Sequence, residues 1–412
     1  MNVRTNTAQV VSARARRAAV AGALLLTALA ASPLHAGPNE QARRIYERIA
    51  GVPPSAAELA SMAATINTGC GGACAPGAAA LVTAAQTATS APSFYNVTLK
   101  NMVIPWTNRD QTVFAPLNDY AATVIGMVRD DNVVRFDTAL SADILYVVNG
   151  VSPAPSNSSN AHYAAAEAQG VDLSTALTRS SQSAVYGTPS AATAGLMTTY
   201  AAESAFFING TNRAMFRFTM INHFCHDMET LEDTTRPSDR IRQDVARLPG
   251  GDSRVFMNTC VGCHSGMDPM AQAFAYYNFN GTVVGPGTNT GTMQYTAGQV
   301  QPKYFINSNN FVYGFVTPDD SWSNRWRGGV NASLGWDPTL PGYGNGAKSL
   351  GQELERSDAF AQCQVVKVFT TVCFRAPLQS DSSAISSIKS SFKASGSLKQ
   401  VFQQAAAACP GQ

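Results

Sequence analysis

The alternation of apolar and polar positions changes character several times along the chain. Ala18 to Ala31 is an apolar run preceded by a stretch bearing Arg4, Arg14, Arg16 and Arg17. From Pro38 the spacing turns helical: Ile45 and Ile49 sit one turn apart in a segment that ends at Gly51. Ser55 followed by Glu58 is the capping pattern that opens a second helix. Beyond the Cys70-Gly71-Gly72-Ala73-Cys74 turn, further helices are expected at about 77–89, 92–103, 117–129, 191–206 and 212–226. Residues 150–160 are rich in Ser, Pro and Asn and read as a polar loop and candidate linker. Between Asn278 and Gly346 the helical spacing gives way to Gly, Asn, Thr and aromatic residues, with alternation from Tyr304 to Val316, which predicts loops and a few small strands. Helical spacing then returns: Ser357 caps a segment running to about Phe374 and closed by Pro377, and Ser397 caps a last one reaching Cys409-Pro410. No internal repeat and no long low-complexity tract is present. The expected fold is mainly α: a bundle-like helical region over 37–240, then 241–412 with a loop-rich, minor-β insert at 278–346 and a helical tail.

The first 36 residues have the layout of a cleaved secretory signal, a basic and acid-free start, an apolar run and Leu34-His35-Ala36. The apolar run falls short of the ~20 residues that cross a bilayer, and no later segment reaches that length. The Arg16-Arg17 pair lacks the flank of a twin-arginine signal, so the general secretory route and a periplasmic or secreted product, cut near Ala36, are expected. The chain holds 29 basic and 27 acidic side chains. Taking away the four arginines of the leader leaves 25 against 27, a balance near −2. A near-neutral surface gives no electrostatic case for nucleic acid or anionic lipid as a partner.

Eight cysteines, at 70, 74, 225, 260, 263, 363, 373 and 409, suit an oxidising compartment. If 358–374 is one helix, Cys363 and Cys373 are separated by ~15 Å along its axis, whereas a disulfide needs Cα atoms within about 7 Å. They should not pair with each other. Cys70 and Cys74 flank a glycine turn and are expected to pair, leaving Cys225 and Cys409 to meet Cys363 and Cys373 in an order the sequence does not decide.

Cys260-Val261-Gly262-Cys263-His264 is the attachment motif of c-type haem. Two sulfurs three residues apart on one helical turn reach two vinyl groups on one edge of the macrocycle, and the next residue puts its imidazole under the iron. Two other chemistries use this spacing: a thioredoxin-like thiol pair and half of a zinc site. The first lacks βαβ surroundings and the second lacks another cysteine pair at ligand spacing. One haem c on Cys260 and Cys263, with His264 as proximal ligand, is therefore expected. For the distal position the candidates are Met293, Met228 and His226. Met257, Met267 and Met270 are tied too closely to the motif, and His162 and His223 complete the set of histidines outside the leader. Tyr276, Tyr277, Tyr295, Trp322, Trp326 and Trp336 are equally suited to wall a haem pocket or to fill a core, and Arg325 or Arg327 is suited to a propionate. No Ser-His-Asp layout, phosphate loop or second haem motif is found.

Cys260-Val-Gly-Cys-His-Ser-Gly-Met-Asp-Pro269 resembles the haem module of the large exported cytochromes of planctomycete type, in which Cys-x-x-Cys-His is followed shortly by Met-Asp-Pro. Ala194-Gly-Leu-Met-Thr-Thr-Tyr200, Gly210-Thr-Asn-Arg-Ala-Met215, Leu350 to Cys373 and Arg48-Ile-Ala-Gly-Val-Pro-Pro54 are similar to other stretches of that group. The resemblance implies a mostly helical monohaem protein that moves electrons between redox partner proteins; the insert at 280–345 departs from the family pattern. Electron transfer is the first expectation. A haem enzyme with an open sixth iron position, and a surface or assembly component in which the haem is one station of a longer path, are the alternatives.

Overall fold

Pro38 at the first position of helix α1 (Pro38–Ala50) costs no hydrogen bond, because its missing N–H would have had no partner there. Gly51 ends the helix with φ 72°, a conformation that glycine adopts without penalty. Helix α2 (Ala56–Cys70) opens with the expected reciprocal cap between Ser55 and Glu58. The computed structural model describes residues 36–411; the expected signal at 1–36 lies outside them but for Ala36. Helices α3 (Ala79–Ser90), α4 (Asp119–Arg129), α5 (Ala161–Ala168), α6 (Tyr200–Phe206) and α7 (Arg213–Phe224) follow. Next come α8 (Val261–Ala271), α9 (Gly346–Glu355), α10 (Asp358–Cys373), α11 (Ser382–Ser395) and α12 (Leu398–Ala408). The chain is mainly helical, with only small sheets.

Those sheets are three antiparallel pairs: β1 (Leu145–Val148) with β2 (Leu177–Ser180), β3 (Tyr277–Thr282) with β4 (Thr290–Tyr295), and β5 (Ser321–Ser323) with β6 (Tyr343–Asn345). Two lie in the expected insert; the β1–β2 pair, whose strands are separated by helix α5, was not expected. The Tyr304–Val316 stretch forms no strand. It holds two short 3₁₀ turns and a loop joined to residue 242 by one isolated bridge at Phe315. Its alternation reflects docking of Phe311 and Phe315 on the 241–243 segment through backbone hydrogen bonds, not a ladder. The 150–160 loop is itself packed: the Asn157 carbonyl accepts from the Met293 N–H.

Helix α12 packs on α3, α10 and α11, and α1, α2 and α3 pack on one another. One hydrophobic core runs from Ala42 to Cys409, so the segments on either side of residue 240 share it. A second, small cluster joins Ile241, Val245, Phe256 and Val261, with Cys260 at its edge. Disulfides join Cys70 to Cys74, Cys225 to Cys363 and Cys373 to Cys409, which fixes the order left open above. Among the described residues no helix is long and apolar enough to cross a membrane.

Candidate functional site

The motif lies on one continuous helical stretch. The Asp252 carboxylate caps it by accepting from Arg254 N–H, and a short turn at Ser253–Val255 leads in. Over Phe256–Cys260 the helix widens to a π turn, in which the Val261 N–H reaches back five residues to the Phe256 carbonyl. Such single π turns recur at functional sites because they rotate the side chains that follow.

Packing explains which faces of α8 are closed. At Gly262 the 232–233 segment crosses the helix, with the Asp233 N–H donating to the Gly262 carbonyl at 3.0 Å and the Ser265 hydroxyl donating to the Asp233 carbonyl at 3.2 Å. At Gly266 the Trp326 indole presses so close that an added Cβ would meet Nε1 at 2.0 Å. Val261, Gly262, Ser265, Gly266 and Met267 are all buried, whereas Cys260, Cys263 and His264 are each partly exposed. The face bearing the motif's chemistry is thus the one left open, and Met257, one turn earlier, is 57% exposed.

Cys260 and Cys263 are the two free thiols among the described cysteines. The Cys263 sulfur lies 3.5 Å from the Met228 carbonyl. Burial, then the Glu232 carboxylate, pushes its pKa up to about 12. That is opposite to the lowering found in a redox-active thiol pair. His264 Nδ1 lies 3.1 Å from Asp268 Oδ1, one helical turn on. Asp268 is fully buried, and Arg213 holds it through both oxygens at 2.7 and 2.8 Å. Burial alone would raise this carboxyl; Arg213, and then His264, override that and keep it well below the carboxylate range. With Nδ1 engaged, Nε2 is the ring nitrogen left to meet a metal, the arrangement that fixes tautomer and ring orientation in metal-ligating histidines.

The donor set therefore fits a covalently attached haem: two unpaired thiols three residues apart and an oriented imidazole directly after them, all on a partly exposed face. Among the described residues no three His, Cys, Asp or Glu side chains converge as a metal cage.

The distal candidates separate. Met228 begins a 3₁₀ turn, Met228–Leu231, that packs on α8 beside Cys263, and His226 lies two residues before it with Nδ1 3.2 Å from the Thr230 hydroxyl. Met293, on β4 opposite Phe279, lines a separate cavity with Tyr186, Glu203 and Tyr295 that includes none of the motif residues. His162 is satisfied at both nitrogens, accepting from the Val148 N–H and donating to the Pro153 carbonyl. His223 is buried against Tyr120. Of the aromatic residues, Trp326 and Tyr277 are core, Trp326 against Phe216 and α8 and Tyr277 donating its hydroxyl to the Ala192 carbonyl. Arg325 and Arg327 are already paired with Asp239 and Glu353. Asp268 and Arg213 stand in the motifs quoted above, but the sequence reading gave neither a role beside His264. The spacing of Asp268 four residues after His264 is a visible signal, whereas Arg213 lies 55 residues upstream and only the fold brings it in. Set against family models, curated proteins and solved structures, the chain matches none of them.

Proposed function

We propose that this chain is an exported monohaem c-type cytochrome that transfers electrons between redox partner proteins. The observation that carries the reading is the state of the cysteines: six are paired, and the two left as thiols are those of Cys-x-x-Cys-His, on an open helix face beside an oriented imidazole. A haem held there supplies a reversible one-electron couple. Cys260 and Cys263 provide thioether anchors, so that the group cannot dissociate outside the cell. His264 presents Nε2, and the anionic Asp268, kept ionised by Arg213, raises the basicity of the ring from behind. The docking of the 232–233 segment at Gly262 and of Trp326 at Gly266 holds the helix still, which reduces the rearrangement that accompanies a change of charge.

The arginine-bearing leader and the three disulfides support maturation in an oxidising compartment, the periplasm or beyond. Resemblance to the planctomycete-type cytochromes points the same way. Met228 and His226 are the distal ligands proposed first, because their segment already touches Cys263; Met293 requires the β3–β4 hairpin to leave its cavity. The test is spectroscopic. Protein matured in a host competent for c-type haem attachment should titrate reversibly between two redox states, and its ferrous form should resist carbon monoxide at neutral pH. Rapid carbon monoxide binding contradicts the carrier reading and favours the enzyme alternative with an open sixth position.

A further inference from the structure

Met293 borders a cavity of about 230 Å³ enclosed by Asn157, the 186–189 turn, helix α6 and strand β4. Its walls are tied to one another. The Asn157 carbonyl accepts from the Met293 N–H at 3.1 Å, and the Asn157 amide donates to the Tyr186 carbonyl at 3.4 Å, so the polar 150–160 loop is fastened to both neighbours. Tyr295, on β4, is held between Tyr276 and Tyr277, whose ring centroids lie 6.3 and 4.9 Å from its own. Of the lining residues Gly187 and Pro189 are exposed, whereas Tyr186 and Glu203 are buried, so the cavity deepens from the turn toward the Glu203 carboxyl.

Two carboxyls are buried in this part of the fold, and they differ in what they bond. Asp119 is saturated: it accepts from the N–H groups of Tyr120, Tyr200 and Ala201 and from the Tyr186 hydroxyl. Glu203, on the helix that Tyr200 opens, is only 2% exposed, and its Oε2 is shut off from solvent with no hydrogen-bond partner among the described residues. Burial, partly offset by Lys303 and reinforced by Asp119, pushes its pKa well above the carboxylate range. Lys303 acts on it only through space, because the ammonium is donated to the Phe207 carbonyl. A buried carboxyl without a partner is a cost that the fold sustains; where the group lines a cavity, a ligand can satisfy it. The lining holds this one acid and no base. N–H donors on a cation would complete the carboxylate with charge-assisted bonds, and the Tyr295 ring beside it attracts organic cations. The volume lies just below the range of small-molecule sites, about 300–1,000 Å³, which admits a charged head and a few carbon atoms.

We propose that this cavity binds a small primary ammonium compound, whose N–H groups donate to Glu203 and whose carbon skeleton lies against Tyr295 and Met293. The site includes none of Cys260, Cys263 and His264, so it stands or falls independently of the cytochrome reading. Titration calorimetry of the full chain with propylammonium chloride tests it, beside potassium chloride and tetramethylammonium chloride at equal ionic strength and propanol as the uncharged counterpart. Propylammonium binds saturably, at one site per chain, and raises the unfolding midpoint; the three comparison solutes do neither. Glu203→Gln keeps the shape of the side chain and the fold, while it weakens propylammonium about tenfold or more, the scale of a lost charge-assisted hydrogen bond. Tyr295→Leu removes the ring face and weakens binding severalfold. A parent chain that does not bind propylammonium overturns the proposal, as does binding that Glu203→Gln leaves intact. Equal response to all three cations marks unspecific screening, and binding of propanol alone marks a neutral occupant; either result overturns it as well.

Discussion

Gly266 faces the Trp326 indole at a distance that leaves no room for a methyl group. Gly266→Ala must therefore push α8 or the indole aside, and overpacking of this kind costs typically 1–3 kcal/mol. The expected outcome is a lower unfolding midpoint by calorimetry together with reduced haem attachment; an unchanged midpoint contradicts the packing account. His223 supplies a second test. Burial, then the nearby Lys367, lowers its pKa to about 3, and its Nε2 lies 2.7 Å from the Tyr120 hydroxyl. The unfolded chain takes up a proton near the ordinary histidine value of about 6.5, while the folded chain refuses it until about pH 3. The stabilisation is therefore present above pH 6.5 and is lost as pH falls toward 3. Between pH 7 and pH 5 this one group costs on the order of 2 kcal/mol, and His223→Gln should flatten that limb in urea titrations at the two pH values. At this scale the sequence singled out Cys260, Cys263 and His264 by their spacing of three residues and one, and the fold leaves all three partly exposed. The sequence did not disclose that Arg213 and Asp268 buttress the imidazole from behind, because nothing local ties position 213 to position 268.

Among the elements, capped helices were the most legible. Ser55 with Glu58, Ser357 and Ser397 each stand at the N-cap where their side chains promised, since a cap is a local hydrogen bond written in adjacent residues. Helix α11 was missed. Its many serines disfavour a helix in isolation, and burial of Ile385, Ile388 and Phe392 against the shared core stabilises it. The Tyr304–Val316 alternation misled for the converse reason, since a period of two without a neighbouring strand to pair with makes a docked loop. The separation argument for α10 held: Cys363 and Cys373 reach different partners from one helix. Closing the loop between Cys225 and Cys363, 138 residues apart, restricts the unfolded chain strongly. The double variant Cys225→Ala, Cys363→Ala should lose about 2–5 kcal/mol in reversible denaturation, and an unchanged stability contradicts that role.

For the molecule as a whole, the helices at the two ends of the described chain close one core. Arg48 on α1 donates to the Cys409 carbonyl at 2.5 Å, and α12 fills the groove left by α1 and α3. The helix bearing the Cys-x-x-Cys-His motif is attached to this body along its closed faces, so that Cys260, Cys263 and His264 stand partly exposed at the surface. The mass of the mature protein tests this account most directly. Purified after expression in a host with c-type maturation, the chain should carry one porphyrin that survives denaturation, confined to a proteolytic peptide spanning Cys260–His264 and absent from Cys260→Ala, Cys263→Ala. A mature chain with intact thiols, or with a Cys260–Cys263 disulfide and no added porphyrin, contradicts it.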